Sequence, residues 1–111
     1  GLDGCLFVYT DEEWKIKEEK FREIPLTKKE ARTFARFFFA GAAQLEIDKQ
    51  GRVLIPSTLR EHASLDKEVV LVGVLDRVEI WDKKRWEDTN TYSEDEMDEI
   101  AEKMAELGIG I

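Results

Sequence analysis

Hydrophobic and polar residues follow one another in short stretches that predict strands and amphipathic helices in turn. Residues 6–9 combine branched and aromatic side chains, which favour a β-strand. Thr10 is followed three residues later by a glutamate, a capping box that predicts the start of a helix. Apolar residues recur at helical spacing from there, and we expect Pro25 to stop this first helix.

A second capping box at residues 27–30 predicts another helix, which runs through Ala40 and ends at Gly41. Its phenylalanines recur at helical spacing and should face a neighbouring element. Another face carries three cations, four residues apart: Lys28, Arg32 and Arg36. This cationic face is either a solvated stripe or a contact for phosphate or a protein partner.

The middle of the chain has the pattern of β-structure. Residues 45–47 and 52–55 are predicted as strands on either side of a turn at residues 48–51. Pro56 should end the second strand, and Ser57 should cap a short helix that reaches about His62.

The last third of the chain predicts two more strands and two more helices. The strands are expected at residues 68–72 and 77–81. Asp82 should cap a helix that contains Trp86, and a third capping box at Ser93 should start a final helix that Gly108 ends.

A shift of 72 positions aligns two strand-cap-helix units. The matched residues include Tyr9 with Trp81, Thr10 with Asp82, and Trp14 with Trp86. Strands precede the second unit only, so the repeat predicts about 30 further residues before residue 1. We therefore assign residues 1–43, a strand and two helices, to the remainder of a first repeat and residues 44–111, with the C-terminal helices, to a second.

Composition and charge narrow the classes of function. The chain has 111 residues, which suits one compact domain or two small intertwined repeats, and it shows no signal peptide or membrane-length apolar run. The net charge of −8 disfavours DNA binding. However, residues 1–43 carry equal numbers of acids and bases, whereas residues 82–111 carry ten acids and four bases. A basic surface away from the C-terminal helices could therefore still bind phosphate, because salt screens the negative charge of those helices beyond about 8 Å.

Residues that could support catalysis are scarce. Cys5 is the only cysteine and adjoins a predicted strand, which indicates a buried structural thiol and is compatible with a reducing cytosol. His62 is the only histidine and should lie at the surface or at a helix end. The sequence contains no glycine-rich phosphate loop, and the carboxylates of residues 94–99 should form a solvated helix face. We expect no enzymatic activity, cofactor, metal or small-molecule substrate.

Residues 47–56, with aspartate and arginine at Asp48 and Arg52, resemble the D-x-x-x-R signature of the MraZ family in the AbrB-like group. The flanking segments agree in order across nearly the whole chain: residues 41–42, 59–63, 69–73 and 79–81, and at the start residues 2–6 with Trp14. The resemblance implies an α+β fold, a double-split (swapped-hairpin) β-barrel with external helices, here with an incomplete first repeat.

The same resemblance implies a function and a location. Members of the family assemble into ring-shaped homo-oligomers and bind direct repeats in promoter DNA upstream of the operon for cell division and cell wall synthesis. They usually act as repressors, in the cytoplasm on the nucleoid. The alternative for this chain is an oligomerisation module without DNA binding, in which aromatic surfaces and strand edges are buried between subunits.

The candidate DNA contact is the turn itself. Asp48 can accept backbone N–H groups and Gly51 permits a tight bend, so that Arg52 can reach phosphate or a guanine edge. Lys49 and Gln50 are the adjacent candidates, although the family often carries a lysine where Gln50 stands. In the alternative interpretation, Asp48 and Arg52 only pair with each other or brace the barrel.

Overall fold

The computed structural model describes residues 1–110, which form an α+β fold with one three-stranded antiparallel sheet. After a 3-10 turn at Leu2–Gly4, the elements are β1 (Leu6–Val8), α1 (Asp11–Arg22), α2 (Lys29–Ala40), α3 (Ser57–His62), β2 (Val69–Val74), β3 (Arg77–Asp82), α4 (Lys83–Thr89) and α5 (Glu94–Glu106). The sheet order is β1-β3-β2. In this part of the chain, the helices fall short of the length and apolar character that crossing a bilayer requires.

The strand β3 lies at the centre of the sheet. It forms a hairpin with β2, in which Val74 faces Arg77 across a two-residue turn. On its other side β1 pairs with it, and Phe7 faces Glu79 at the middle of the pairing. These two residues are also equivalent under the shift of 72 positions. An antiparallel pair that is centred on equivalent residues has a local two-fold axis between them.

The buried core is small, and the part formed by Leu6, Ala63 and Ile80 lies between the sheet and α3. Its buried apolar residues are Cys5, Leu6, Ala63, Ile80 and Trp81. Partly buried side chains of α3 and its flanks pack against Leu6, Ala63 and Ile80: Ile55, Leu59 and Leu65.

Aromatic rings hold α1 against α2. Trp14 and Phe21 of α1 stack on Phe38 of α2, with ring centroids 5.3 and 5.1 Å apart. The Phe21 ring also contacts those of Phe34 and Phe39, with centroid distances of 5.7 and 5.1 Å. The phenylalanines of α2 therefore face a neighbouring helix, as their spacing predicts.

The strands predicted at residues 45–47 and 52–55 are not formed in this structure. Residues 42–48 and 52–56 are irregular, and one backbone hydrogen bond, from Asp48 N to Arg52 O at 2.9 Å, joins the two arms. A strand forms only where a second backbone supplies a ladder of partners, and the turn alone supplies too few. The strands β2 and β3 pair with each other, and both predictions for them are confirmed.

Three of the predicted helix caps are confirmed by hydrogen bonds. The side chains of Thr10, Asp82 and Ser93 accept from backbone N–H groups three residues later, at 3.2, 3.2 and 3.1 Å. Gly108, with φ +89°, ends α5, because Ile109 N donates to Met104 O at 2.9 Å across it.

Two other caps are wrong. The N-cap of α2 is Lys28, which makes no side-chain capping bond, rather than Thr27. Arg32 Nη1 donates to Leu26 O at 2.8 Å, and this contact holds the preceding loop instead. Ser57 is the first residue of α3, which follows Pro56 as its N-cap.

Candidate nucleic-acid interface

The turn at residues 48–52 is organised by the Asp48 side chain. Its Oδ1 accepts from Gln50 N at 2.8 Å and from Arg52 N at 2.9 Å. Gly51 N donates to Asp48 O at 3.0 Å, and Gly51 has φ +78°, a conformation that glycine adopts without strain. The predicted role of Asp48 as the acceptor that shapes the turn therefore agrees with this geometry.

These hydrogen bonds also affect the pKa of Asp48. The backbone N–H of Arg52, followed by that of Gln50 and by the Arg52 side chain, lowers the pKa of the Asp48 carboxyl below its usual value. Each of these donors favours the charged form. The carboxylate, which would be ionised at neutral pH in any case, therefore stays ionised to lower pH, and its contribution to the turn is lost only as the pH falls below the usual range for aspartate.

Arg52 leaves this turn toward solvent. Its side chain is 72% exposed and that of Asp48 is 48% exposed. Lys49 and Gln50 are exposed as well. The structure therefore brings the candidate residues together at one protruding turn, with three of their side chains open to a ligand.

Asp48 and Arg52 also contact each other, as the alternative interpretation proposes. Arg52 Nε lies 3.3 Å from Asp48 Oδ2. Within residues 1–110, Nη1 and Nη2 of this arginine have no protein hydrogen-bond partner. The ion pair orients the guanidinium through Nε and leaves the two-pronged end available to phosphate or a guanine edge.

The remaining candidates are less favourable for chemistry. His62 ends α3 at the surface, and its ring lies 5.9 Å from that of Phe37. Cys5 is buried, its Sγ donates to Leu2 O at 3.4 Å, and burial raises the pKa of its thiol to about 11. A thiol held protonated in this way is a poor nucleophile. In residues 1–110, the His, Cys, Asp and Glu side chains form no group of three or more that could hold a metal ion.

Comparison with known proteins assigns the chain to a family. The model of the MraZ protein family matches residues 1–37 and 38–107. The chain belongs to the MraZ family. A relative from Alkaliphilus oremlandii is 55% identical over 109 residues, which cover 98% of this chain and 76% of the relative. Relatives from Caldicellulosiruptor bescii and Acetivibrio thermocellus are 57% and 58% identical at the same coverage.

All three relatives carry the name transcriptional regulator MraZ. The name describes a regulator of transcription and not an enzyme. This name agrees with the resemblance to the MraZ family that the sequence motifs indicate.

In this MraZ chain, a charged network that the sequence reasoning missed joins the two halves. Glu79 is buried on β3 and accepts from Arg77 Nε at 2.9 Å and from Trp81 Nε1 at 3.0 Å. The Arg77 guanidinium lies 4.3 Å from the centre of the Phe7 ring on β1. The spacing of two between the β3 residues, which puts their side chains on one face, is the signal that could have revealed this group.

The network continues to α1. Lys17 pairs with Asp76 in the β2–β3 turn, and its hydrogen bond lowers the pKa of the Asp76 carboxyl. The two residues are 59 positions apart, and no sequence pattern connects them. The pair fixes α1, and with it the α1–α2 hairpin, against the end of the sheet.

Proposed function

We propose that this chain regulates transcription by binding DNA sequence-specifically through the turn at residues 48–52, with Arg52 as the principal contact. The observation that carries the proposal is the exposed guanidinium of Arg52, which Asp48 holds at 3.3 Å on a turn that its own hydrogen bonds define. A preorganised arginine loses little freedom on binding and can donate two parallel bonds to one guanine. Lys49 and Gln50 lie beside it and would contact phosphate or a neighbouring base.

A second part of the proposal is that several copies of the turn bind DNA together. One arginine per chain contributes little affinity, and the net charge of −8 opposes binding. A ring-shaped homo-oligomer that presents the turn several times to direct repeats gains affinity through effective concentration. We propose that such a ring represses the operon for cell division and cell wall synthesis, in the cytoplasm on the nucleoid.

The proposed architecture is a double-split barrel built from two repeats, residues 1–43 and 44–111. Three observations support the repeats. The caps Thr10 and Asp82 are equivalent, and the aromatic pairs Tyr9–Trp14 and Trp81–Trp86 have similar ring separations of 6.1 and 5.6 Å. The strands β1 and β3 pair about equivalent residues. The irregular arms of the turn would become barrel strands on meeting the arms of another repeat, as the exposure of Ile47 and Leu54 suggests.

The test is a binding titration of fluorescent duplexes, one with promoter direct repeats and one with the same bases scrambled. Arg52→Ala should weaken binding to the repeats by at least roughly tenfold, because each lost guanine contact costs about 1–3 kcal/mol and the substitution removes all of them. Arg52→Lys keeps the positive charge but loses the planar guanidinium that can donate two parallel hydrogen bonds. It should therefore reduce the difference in affinity between the two duplexes. Arg22→Ala, which removes an equally exposed arginine from α1, is the matched control and should change affinity less than twofold.

Two results would count against this proposal. Equal binding by the wild type and Arg52→Ala would remove Arg52 from recognition. Absence of binding to either duplex, with a stable oligomer in solution, would favour the alternative function of an oligomerisation module. The exposed apolar face of β2 supports that alternative, because Leu71 is 66% exposed on an edge strand.

A further inference from the structure

Within residues 1–110, the helix α5 has an apolar face that the other elements leave largely uncovered. Met97, Ile100, Met104 and Leu107 follow helical spacing and share this face. Met97 is 47% exposed and Leu107 is 72% exposed. Both ends of the helix are nevertheless well formed, with Ser93 as a side-chain cap and Gly108 as the closing residue. A formed amphipathic helix with its apolar side in water is expected to pack against another surface.

Charge restricts what that surface can be. The helix carries seven carboxylates and one lysine. Ala101 and Ala105 extend the apolar face on one side of the helix, and Glu94 and Asp98 border it there. Asp95 and Glu99 lie on the opposite side of the helix. Two copies of α5 packed together would bring like charges into contact, which is unfavourable. The complementary surface should therefore be apolar and basic.

The helix α2 has this combination. Phe34 and Phe37 are 40% and 49% exposed, and their ring centroids are 6.4 Å apart, so they form one continuous apolar strip. Lys29 and Arg36 lie together on a side of the helix beside this strip, and both are exposed. Residues 28–40 carry four cations and one carboxylate, Glu30, which is exposed in line with the strip at its N-terminal end. Within residues 1–110, α5 makes no extensive contact with α2 of its own chain.

We propose that the apolar face of α5 docks on the Phe34–Phe37 strip of α2 in a second copy of this chain, with Glu94 and Asp98 facing Lys29 and Arg36. The contact joins two different surfaces, so each copy can donate its α5 to one neighbour and receive an α5 from another. Such a heterologous contact closes into a ring when its rotation permits. The inference rests on the proposed assembly of several copies and names the surfaces that join them.

The test is charge reversal, followed by mass determination by light scattering or sedimentation over a range of protein concentrations. Glu94→Lys with Asp98→Lys should weaken association at least about tenfold, because it opposes like charges across the contact. Asp95→Lys with Glu99→Lys is the matched control: it makes the same change in net charge in the same turns of α5, on the opposite side. The control should associate like the wild type.

A compensating variant tests the partner surface. Lys29→Glu with Arg36→Glu should weaken association by itself and should restore it in combination with the Glu94 and Asp98 reversals. Ile100→Ser should weaken association without any change in charge. Far-UV circular dichroism on each variant checks that the helices remain formed.

The outcomes distinguish the proposed ring from the proposed contact between α5 and α2. A wild type that is monomeric at every concentration overturns both the proposed ring and this contact. An oligomeric wild type whose mass is unchanged in the Glu94 and Asp98 double variant overturns this contact alone, as does a control that dissociates equally. Failure of the combined reversal to restore association overturns the pairing with α2, and the DNA-binding role of Arg52 is measured independently by the duplex titration.

Discussion

At the scale of single residues, two tight turns achieve a left-handed backbone in different ways. Gly51 has φ +78°, and it has no side chain to strain. Leu75, in the β2–β3 turn, has φ +49° although it is a bulky residue, and its side chain is fully exposed. This conformation costs roughly 1–2 kcal/mol for a residue with a Cβ atom, and no packing of the leucine offsets it.

Replacement of Leu75 should therefore stabilise the hairpin. Leu75→Asn should raise the free energy of unfolding by about 1 kcal/mol, because asparagine tolerates the left-handed region. Leu75→Ala retains the Cβ atom and the strain, and it should leave stability nearly unchanged. Urea unfolding followed by circular dichroism measures both. Equal stability of the asparagine and alanine variants would show that the backbone at this position is not strained.

At the same scale, the candidate site could be predicted because its chemistry is local. Asp48 contacts N–H groups two and four residues ahead, so the order of residues alone indicates the turn. The buried network around Glu79 could not be predicted in the same way. Its contacts to Phe7 and, through Asp76, to Lys17 depend on the packing of β1 and α1 against the hairpin.

At the scale of elements, similar helix caps should have different consequences. Thr10 caps α1, which the aromatic contacts of Trp14 and Phe21 join to α2. Ser93 caps α5, whose apolar face is exposed. Loss of a side-chain cap costs a helix about 1 kcal/mol in either case. Whether that loss reaches the rest of the fold depends on how the helix is packed.

We expect Thr10→Ala to lower the free energy of global unfolding by about 1 kcal/mol. Ser93→Ala should leave global unfolding of the monomer almost unchanged and should increase local opening of α5. Urea unfolding and amide hydrogen exchange, both at protein concentrations where the chain is monomeric, measure the two effects. An equal loss of global stability in both variants would mean that α5 is coupled to the core.

The errors of prediction at this scale have one physical origin. The helices were predictable because their bonds and caps lie within a few residues. Residues 45–47 and 52–55 have the composition of strands, but a strand also requires a partner that the surrounding sequence does not specify. Thr27 fits a capping box, but α2 begins at Lys29 with Lys28 as its N-cap, and the side chain of Arg32 bonds to Leu26 O in the preceding loop.

At the scale of the whole molecule, the buried core is small for the amount of apolar surface. Five apolar residues are buried among residues 1–110, whereas large hydrophobic side chains are exposed on β2, α2 and α5. A chain of this kind gains stability by association, because burial between copies adds to burial within each copy. The proposed ring would thus stabilise the fold as well as multiply the DNA contacts.

Stability should consequently depend on protein concentration. If association is coupled to folding, a hundredfold increase in protein concentration should raise the apparent free energy of unfolding by roughly 2.7 kcal/mol for each chain added to an oligomer. Leu71→Lys places a charge on the exposed face of the edge strand β2 and should reduce this dependence. Leu75→Lys, the same substitution at the exposed turn of the same hairpin, should retain it. Urea midpoints that coincide at low and high concentration in the wild type would show that each chain is stable alone, because mass action shifts the midpoint of every protein whose folded state associates.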